Sequence, residues 1–381
     1  MRNLQWLFLA ILVCGLAIGV SLGCRSATSS SSAAPAADDD DDASPGDDDA
    51  SPVEAKWVWK SVPGAICRDG SGTGLLVREI PGATNLVIFM QGGGACYSAS
   101  SCADNPAHFS EADFYNWVPA SGSQGIFNTA QAANPVRDWN FVYIPYCTGD
   151  LFAGSKTNGV APGVPGTQQF VGYLNMQKML AEIHVLFPSP KRVLLAGESA
   201  GGFGVMLNYA HTARAYPGIP VALIDDSGPL FSDADVLSPC LQLLVVVLWD
   251  ATGPIKDGCN CVDAQGGFWK WHAWLAENFP LGTFGLFSSM EDATIRSFFG
   301  IGQDHCAGTT DIPANVYSAG LIDLRTNVLA PTKRWSSYYI NGDSHTALPI
   351  ENMYYNTNVG GVPLTTWVKE VLTSVPEPVG P

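Results

Sequence analysis

The pentapeptide Gly197-Glu198-Ser199-Ala200-Gly201 constrains this chain more than any other stretch. Before it, Val193 to Ala196 is a short uncharged aliphatic run, the pattern of a fully buried strand. After it, Gly202-Phe-Gly-Val-Met-Leu207 opens a helical pattern. A serine held between strand and helix, with glycine on either side, describes a sharp turn where a Cβ at the flanking positions would clash. The turn sets Ser199 at a helix N-terminus, where free N–H groups and the helix dipole favour a developing oxyanion. A glycine-rich turn with no chemistry is the plainer alternative; the strand before and the helix after favour a nucleophile.

Such a turn needs a sheet to stand on. Asn85–Met90, Trp139–Pro145, Arg192–Ala196, Pro220–Ile224, Thr283–Ser288 and Trp335–Ile340 read as strands. Between them, Phe170 to Phe187 places apolar residues three or four apart until Pro188 stops it, and Ala200 to Arg214 reads as a second helix. The alternation predicts an α/β chain with a mainly parallel central sheet and helices on both faces. Residues 228–282 break the rhythm with the apolar run Leu241–Trp249 and the cluster Phe268–Trp274, and read as a helical insertion after the sixth strand, over one edge of the sheet. Trp269, Trp271 and Trp274 within it suit core or lid packing better than sugar stacking.

The N-terminal residues read differently. Arg2 followed by the uncharged run Trp6–Val20 forms an export signal over residues 1–24. Its end, Ser21-Leu-Gly-Cys24, resembles a bacterial lipobox, which makes Cys24 a candidate for lipidation; a signal anchor or plain secretion are the alternatives. Residues 25–52 are Ser, Ala, Pro and Asp without an aromatic and form a disordered linker. Two Asp runs there lack the spaced ligands of a calcium loop. The folded body is then 53–381, with any membrane contact confined to the N-terminal lipid or anchor. Of the formal charge of −16, the first 52 residues carry −6. An acidic balance excludes a nucleic-acid binder, which needs a basic face. The eight cysteines of the body suit four disulfides in an exported protein; only Cys96–Cys102, which bracket a short loop, is paired from the sequence. Cys259-Asn-Cys261 has no histidine pair at zinc spacing, so no metal is expected.

A nucleophile of this type needs oxyanion donors, a base and an acid. Gln91-Gly92-Gly93-Gly94 follows an earlier strand, so the N–H groups of Gly93 and Gly94 join that of Ala200 as donors. A phosphate-binding loop would want a helix directly after it, and Cys96–Ser100 does not read as one. Of six histidines, His345 lies in the glycine-containing loop after the last strand, where the base belongs; His305, beside Cys306, reads as structural. Asp292, just past the strand ending at Ser288, is the favoured acid, with Glu291, Asp225, Asp226 and Asp304 as competitors.

Together Phe89–Cys96, Pro145–Asp150, Gly197–Gly202, Ser289–Asp292 and Asp343–His345 resemble the pectin acetylesterase and Notum carboxylesterase family of α/β hydrolases, over roughly residues 55–372. Glu198 stands where that family usually has Cys, Gln91 where Glu is common, and Ala95 replaces an aromatic or polar residue. The resemblance implies an α/β-hydrolase fold and a cofactor-free serine esterase. Ser199 attacks, His345 is the base, and Asp292 orients it. The implied substrate is an acetyl ester, with a polysaccharide as the leading carrier; with the N-terminal signal, the expectation is a monomer exported from a bacterial cell to its surface or periplasm. A lipid or polyester esterase with a longer acyl pocket is one alternative. A non-catalytic binding protein on a hydrolase scaffold is another.

Overall fold

The computed structural model describes residues 55–308 and 310–381. The export signal, Cys24 and the linker lie outside the described residues. The described residues fall within one compact unit, Pro52–Pro381.

Eight strands form the central sheet: β1 (Val58–Ile66), β2 (Gly72–Arg78), β3 (Leu86–Met90), β4 (Asn140–Ile144), β5 (Val193–Glu198), β6 (Val221–Asp226), β7 (Thr283–Ser289) and β8 (Trp335–Ile340). Their spatial order is β1-β2-β4-β3-β5-β6-β7-β8. From β4 to β8 every pairing is parallel, while β1 and β2 add antiparallel. The six strands read from the sequence are those six parallel ones. The sequence pattern gives no strand reading for β1 and β2. Pro63 and Gly64 interrupt β1, which lies at the sheet edge with much of its length exposed, so it shows no clean alternation.

Successive side chains of the central strands point to opposite faces. Ile88, Leu195 and Leu223 enter one apolar core and Phe89, Ala196 and Ile224 the other. Helix α1 (Gly172–Leu186) and helix α2 (Ala200–Ala215) cover the first face. The C-terminal helix Leu364–Val371 covers the second through Trp367, Val368 and Val371.

The insertion follows the sixth strand of the sheet, as read, but it is not confined to an edge. Helix α3 (Pro239–Trp249) starts where the Ser238 hydroxyl accepts from the Leu241 N–H and Pro239 supplies a first-turn residue with no N–H to satisfy. It walls a cavity beside Ser199. Helix α4 (Trp271–Asn278) lies toward the β8 edge, where the Trp335 indole donates to the His272 carbonyl at 3.0 Å. Trp271 is fully buried, and Trp269 and Trp274 pack against the core half-buried. Four disulfides join Cys67–Cys147, Cys96–Cys102, Cys240–Cys306 and Cys259–Cys261. A one-turn helix, Ala99–Ala103, follows the glycine loop where the sequence suggests none; Ser98 and Ser101 cap it reciprocally.

Candidate active site

Ser199 sits between β5 and α2 with φ 53° and ψ −118°, a conformation that costs a side-chain-bearing residue energy. The surroundings enforce it. The Ser199 N–H donates to the Asp226 carbonyl at 2.7 Å. A Cβ on Gly197 would run into the Gly201 carbonyl, and one on Gly201 into the Met90 carbonyl. Both glycines are therefore fixed by close backbone approach. The Ser199 side chain lines the cavity described below.

His345 lies in the loop after β8. Its Nδ1 meets Asp292 Oδ2 at 2.8 Å, while its Nε2 is buried with no hydrogen-bond partner. Asp292 is fully buried and follows β7 as the N-cap of helix α5 (Ala293–Gly300), where its Oδ1 accepts from the Ile295 N–H at 3.0 Å. Hydrogen bonds from Glu291 N–H to the Gly342 carbonyl and from Ala293 N–H to the Asp343 carbonyl tie the two loops together.

The competing acids have other positions. Glu291 and Asp304 are exposed. Asp226 Oδ2 accepts from the N–H groups of Ala347 at 2.8 Å and Leu348 at 2.7 Å, so it braces the histidine loop from below. Burial raises its carboxyl to about 6 against the pull of those donors and of His345. Asp225 accepts from the Gly228 N–H through Oδ1, and burial holds its carboxyl well above the ordinary range. His305 stands beside the Cys240–Cys306 disulfide with φ 54°.

The glycine loop faces the elbow. Gln91 Oε1 accepts from the Tyr146 N–H at 2.9 Å, and Asn105 Nδ2 donates to the Gly93 carbonyl at 2.6 Å. Gly93 and Gly94 have φ 147° and 75°, and a Cβ on either would press within 2.9 Å of Tyr146 or Phe298. Among the described residues, the N–H groups of Gly93, Gly94 and Ala200 enter no turn, loop or cap hydrogen bond.

Glu198 is a member of the site that sequence reasoning noted only as a departure. Burial raises its carboxyl to about 7, and the neighbouring Asp226 adds to the rise. The Gly92 N–H, His345 and the Thr346 hydroxyl draw it back. The signal was in the sequence: an ionisable residue where a neutral one is usual.

Beside Ser199 opens a cavity of about 80 Å³. Its walls come from α2 (Ala200, Phe203, Leu207), α3 (Leu241, Val245, Trp249) and α5 (Ile295, Phe298, Phe299), and no charged residue lines it. The polar groups of two lining residues are already used. The Gln242 amide bonds the Gly267 and Phe268 N–H groups and the Leu237 carbonyl, and the Trp249 indole donates to the Cys96 carbonyl. A second, open and more polar hollow borders the cavity at Gly94, Tyr97 and Phe298, and adds Ser100, Ser101, Asp104 and Ser297.

Residues 47–242 match the family described as pectinacetylesterase. The chain belongs to that family. The chain is also similar to palmitoleoyl-protein carboxylesterases. It is 34% identical to notum1 of Xenopus laevis over 42% of this chain and 34% of that protein. It is 30% identical to notum2 of Xenopus laevis over 54% and 44%. The chain thus spans between a third and a half of these curated relatives. The crystal structure of the Wnt deacylase Notum from Drosophila superposes with a TM-score of 0.59, covering 82% of this chain and 92% of that one at 21% identity. The α/β-hydrolase fold of this pectinacetylesterase family member is therefore shared with Notum.

Proposed function

We propose that this chain is a serine carboxylesterase in which Ser199 is the nucleophile, His345 the base and Asp292 the acid, and that its acyl group is long and apolar. The observation that carries the reaction is the Asp292–His345 pair with His345 Nε2 unspent, on a loop held by Asp226, whose carbonyl also takes the N–H of the strained Ser199. Asp292 accepting the Nδ1–H fixes the tautomer, so Nε2 is the basic nitrogen left for the Ser199 hydroxyl. Ser199 Oγ attacks the ester carbonyl, and its proton passes to Nε2. The N–H groups of Gly93, Gly94 and Ala200 hold the oxyanion. The imidazolium returns the proton to the leaving alcohol, and water then hydrolyses the acyl-enzyme by the same route.

For the acyl chain, the apolar lining of the cavity, which three helices supply, favours the longer-acyl alternative over acetyl. Relatives named palmitoleoyl-protein carboxylesterases support the same choice. The polar hollow at Gly93 and Gly94 suits the alcohol part. Export through residues 1–24 and tethering through Cys24 and the 25–52 spacer are part of the proposal, with 53–381 as one monomeric catalytic unit; the four disulfides support an oxidising location.

Hydrolysis of nitrophenyl esters of increasing chain length tests the reading. Each buried CH₂ contributes about 0.8 kcal/mol, so kcat/KM should climb over several carbons beyond acetate. A profile that peaks at acetate removes the long acyl group. Ser199→Ala should abolish hydrolysis; unchanged activity would remove the nucleophile and favour a binding role.

A further inference from the structure

We propose that Glu198 is a positioning residue of this reaction: a second carboxylate that joins the glycine loop to the histidine loop and, when ionised, favours the His345 imidazolium. The inference rests on the serine-esterase reading above.

Placement argues first. Glu198 is the last residue of β5, paired with Asp226 across the sheet and directly preceding Ser199. It packs so closely on the glycine loop that a Cβ on Gly92 would lie 3.0 Å from its carbonyl oxygen and 3.2 Å from its Cγ. Its carboxyl, raised by burial, is drawn back down by the Gly92 N–H on one side and the Thr346 hydroxyl on the other, and its strand partner Asp226 holds the Ala347 and Leu348 N–H groups of the histidine loop. Thr346 follows the base and has φ 59°, so its conformation needs outside support. The Ser227 hydroxyl, which accepts from the Thr346 N–H at 3.2 Å, gives part of it; on the proposal, Glu198 gives another part.

Charge argues second. The titratable groups facing Glu198 are Asp226 from β6, His345 from the loop after β8 and the Tyr143 phenol from β4. Asp226 is committed to two backbone N–H groups. Asp292 is committed to His345 Nδ1 and to the cap of α5. Glu198 is the remaining carboxylate beside the imidazole, and it titrates near neutrality. Ionised, it stabilises the imidazolium formed as Ser199 loses its proton. Because Glu198 itself ionises near 7, the loss of its charge toward acid pH contributes to the acid limb of the profile. Removing it therefore has two effects that a structural role would not combine: a lower plateau, and an acid limb moved to lower pH.

The experiment is the pH dependence of kcat and kcat/KM for wild type, Glu198→Gln, Glu198→Asp and Ser199→Ala on a nitrophenyl octanoate, with thermal melting of each variant. Glu198→Gln keeps the shape and an acceptor oxygen. It should lower kcat at pH 8 about tenfold and move the acid limb of kcat/KM down by about 0.5–1 in pH. Glu198→Asp keeps the charge and should hold the acid limb near wild type, which carries the test even if Glu198→Gln folds poorly. A wild-type plateau for Glu198→Gln, or a lowered plateau over an unmoved acid limb, overturns the proposal. An inactive Ser199→Ala beside an unaltered Glu198→Gln removes this inference alone. An active Ser199→Ala removes the esterase site and the inference with it.

Discussion

Asp292 shows how one side chain can hold two functions. One oxygen meets His345 Nδ1 at 2.8 Å and the other caps α5, so the imidazole is held against a helix rather than a free loop. Asn at this position can still cap the helix through its amide oxygen, but it cannot both cap and accept the Nδ1–H without turning an NH₂ group to one of them. Asp292→Asn should therefore cost turnover by a factor of about 10³–10⁴, read as kcat on any cleaved ester, while melting moves little. Asp226→Asn is the contrasting case. It keeps one acceptor for the Ala347 and Leu348 N–H groups, so the loss should be smaller, by about tenfold. In the sequence, Asp292 is favoured but Glu291, Asp225 and Asp226 compete with it, because all four follow predicted strands, and Asp304 remains a weaker option. Burial and the direction of the side chain separate them, and neither is written in local sequence.

The elements that make the cavity come from distant parts of the chain. Helix α2 belongs to the elbow, α3 to the insertion and α5 to the acid, and they meet only in the folded molecule. Narrowing one wall tests that assembly. Val245→Trp on α3 should reduce hydrolysis of long-chain esters at least about tenfold, by removing space for several CH₂ groups, and leave acetate hydrolysis nearly unchanged. A parallel fall on both substrates would mean that α3 does not contact the acyl chain. The Cys67–Cys147 disulfide acts on other elements: it links the end of β1 to the segment after β4 across 80 residues. Replacing both cysteines should lower stability by about 2–5 kcal/mol, measured by chemical denaturation.

At the scale of the whole molecule, buried carboxyls set the response to pH. Glu198 is raised to about 7, and Asp150 and Asp226 to about 6, each with burial as the leading cause. A carboxyl whose folded value lies above its unfolded value binds its proton more tightly in the native state. Its stabilising contribution is complete below the unfolded value, near 4, and is lost as pH rises through 6 to 7. The melting temperature should therefore fall between pH 5 and pH 8. With about 1.36 kcal/mol per pH unit for each raised group, the loss over this window amounts to several kcal/mol. The net charge of −16 grows more negative over the same range and adds repulsion in the same direction. A Tm that rises from pH 5 to pH 8 would contradict both terms.

The sequence by itself determined the parallel strands, the two helices that flank the elbow, the turn at Ser199 and the Cys96–Cys102 pair. Each depends on neighbours in the chain: an uncharged run, a Pro188 stop, glycines on both sides of one serine, a six-residue spacing. The family resemblance came from the order of such local blocks. Only the tertiary structure decided which carboxylate meets His345, that Asp226 supports the loop instead, that Glu198 lies between two loops, and that the insertion walls an apolar cavity. Those facts depend on burial and on contacts between residues that the chain holds 50 to 250 positions apart, where spacing in sequence no longer says which groups share a space.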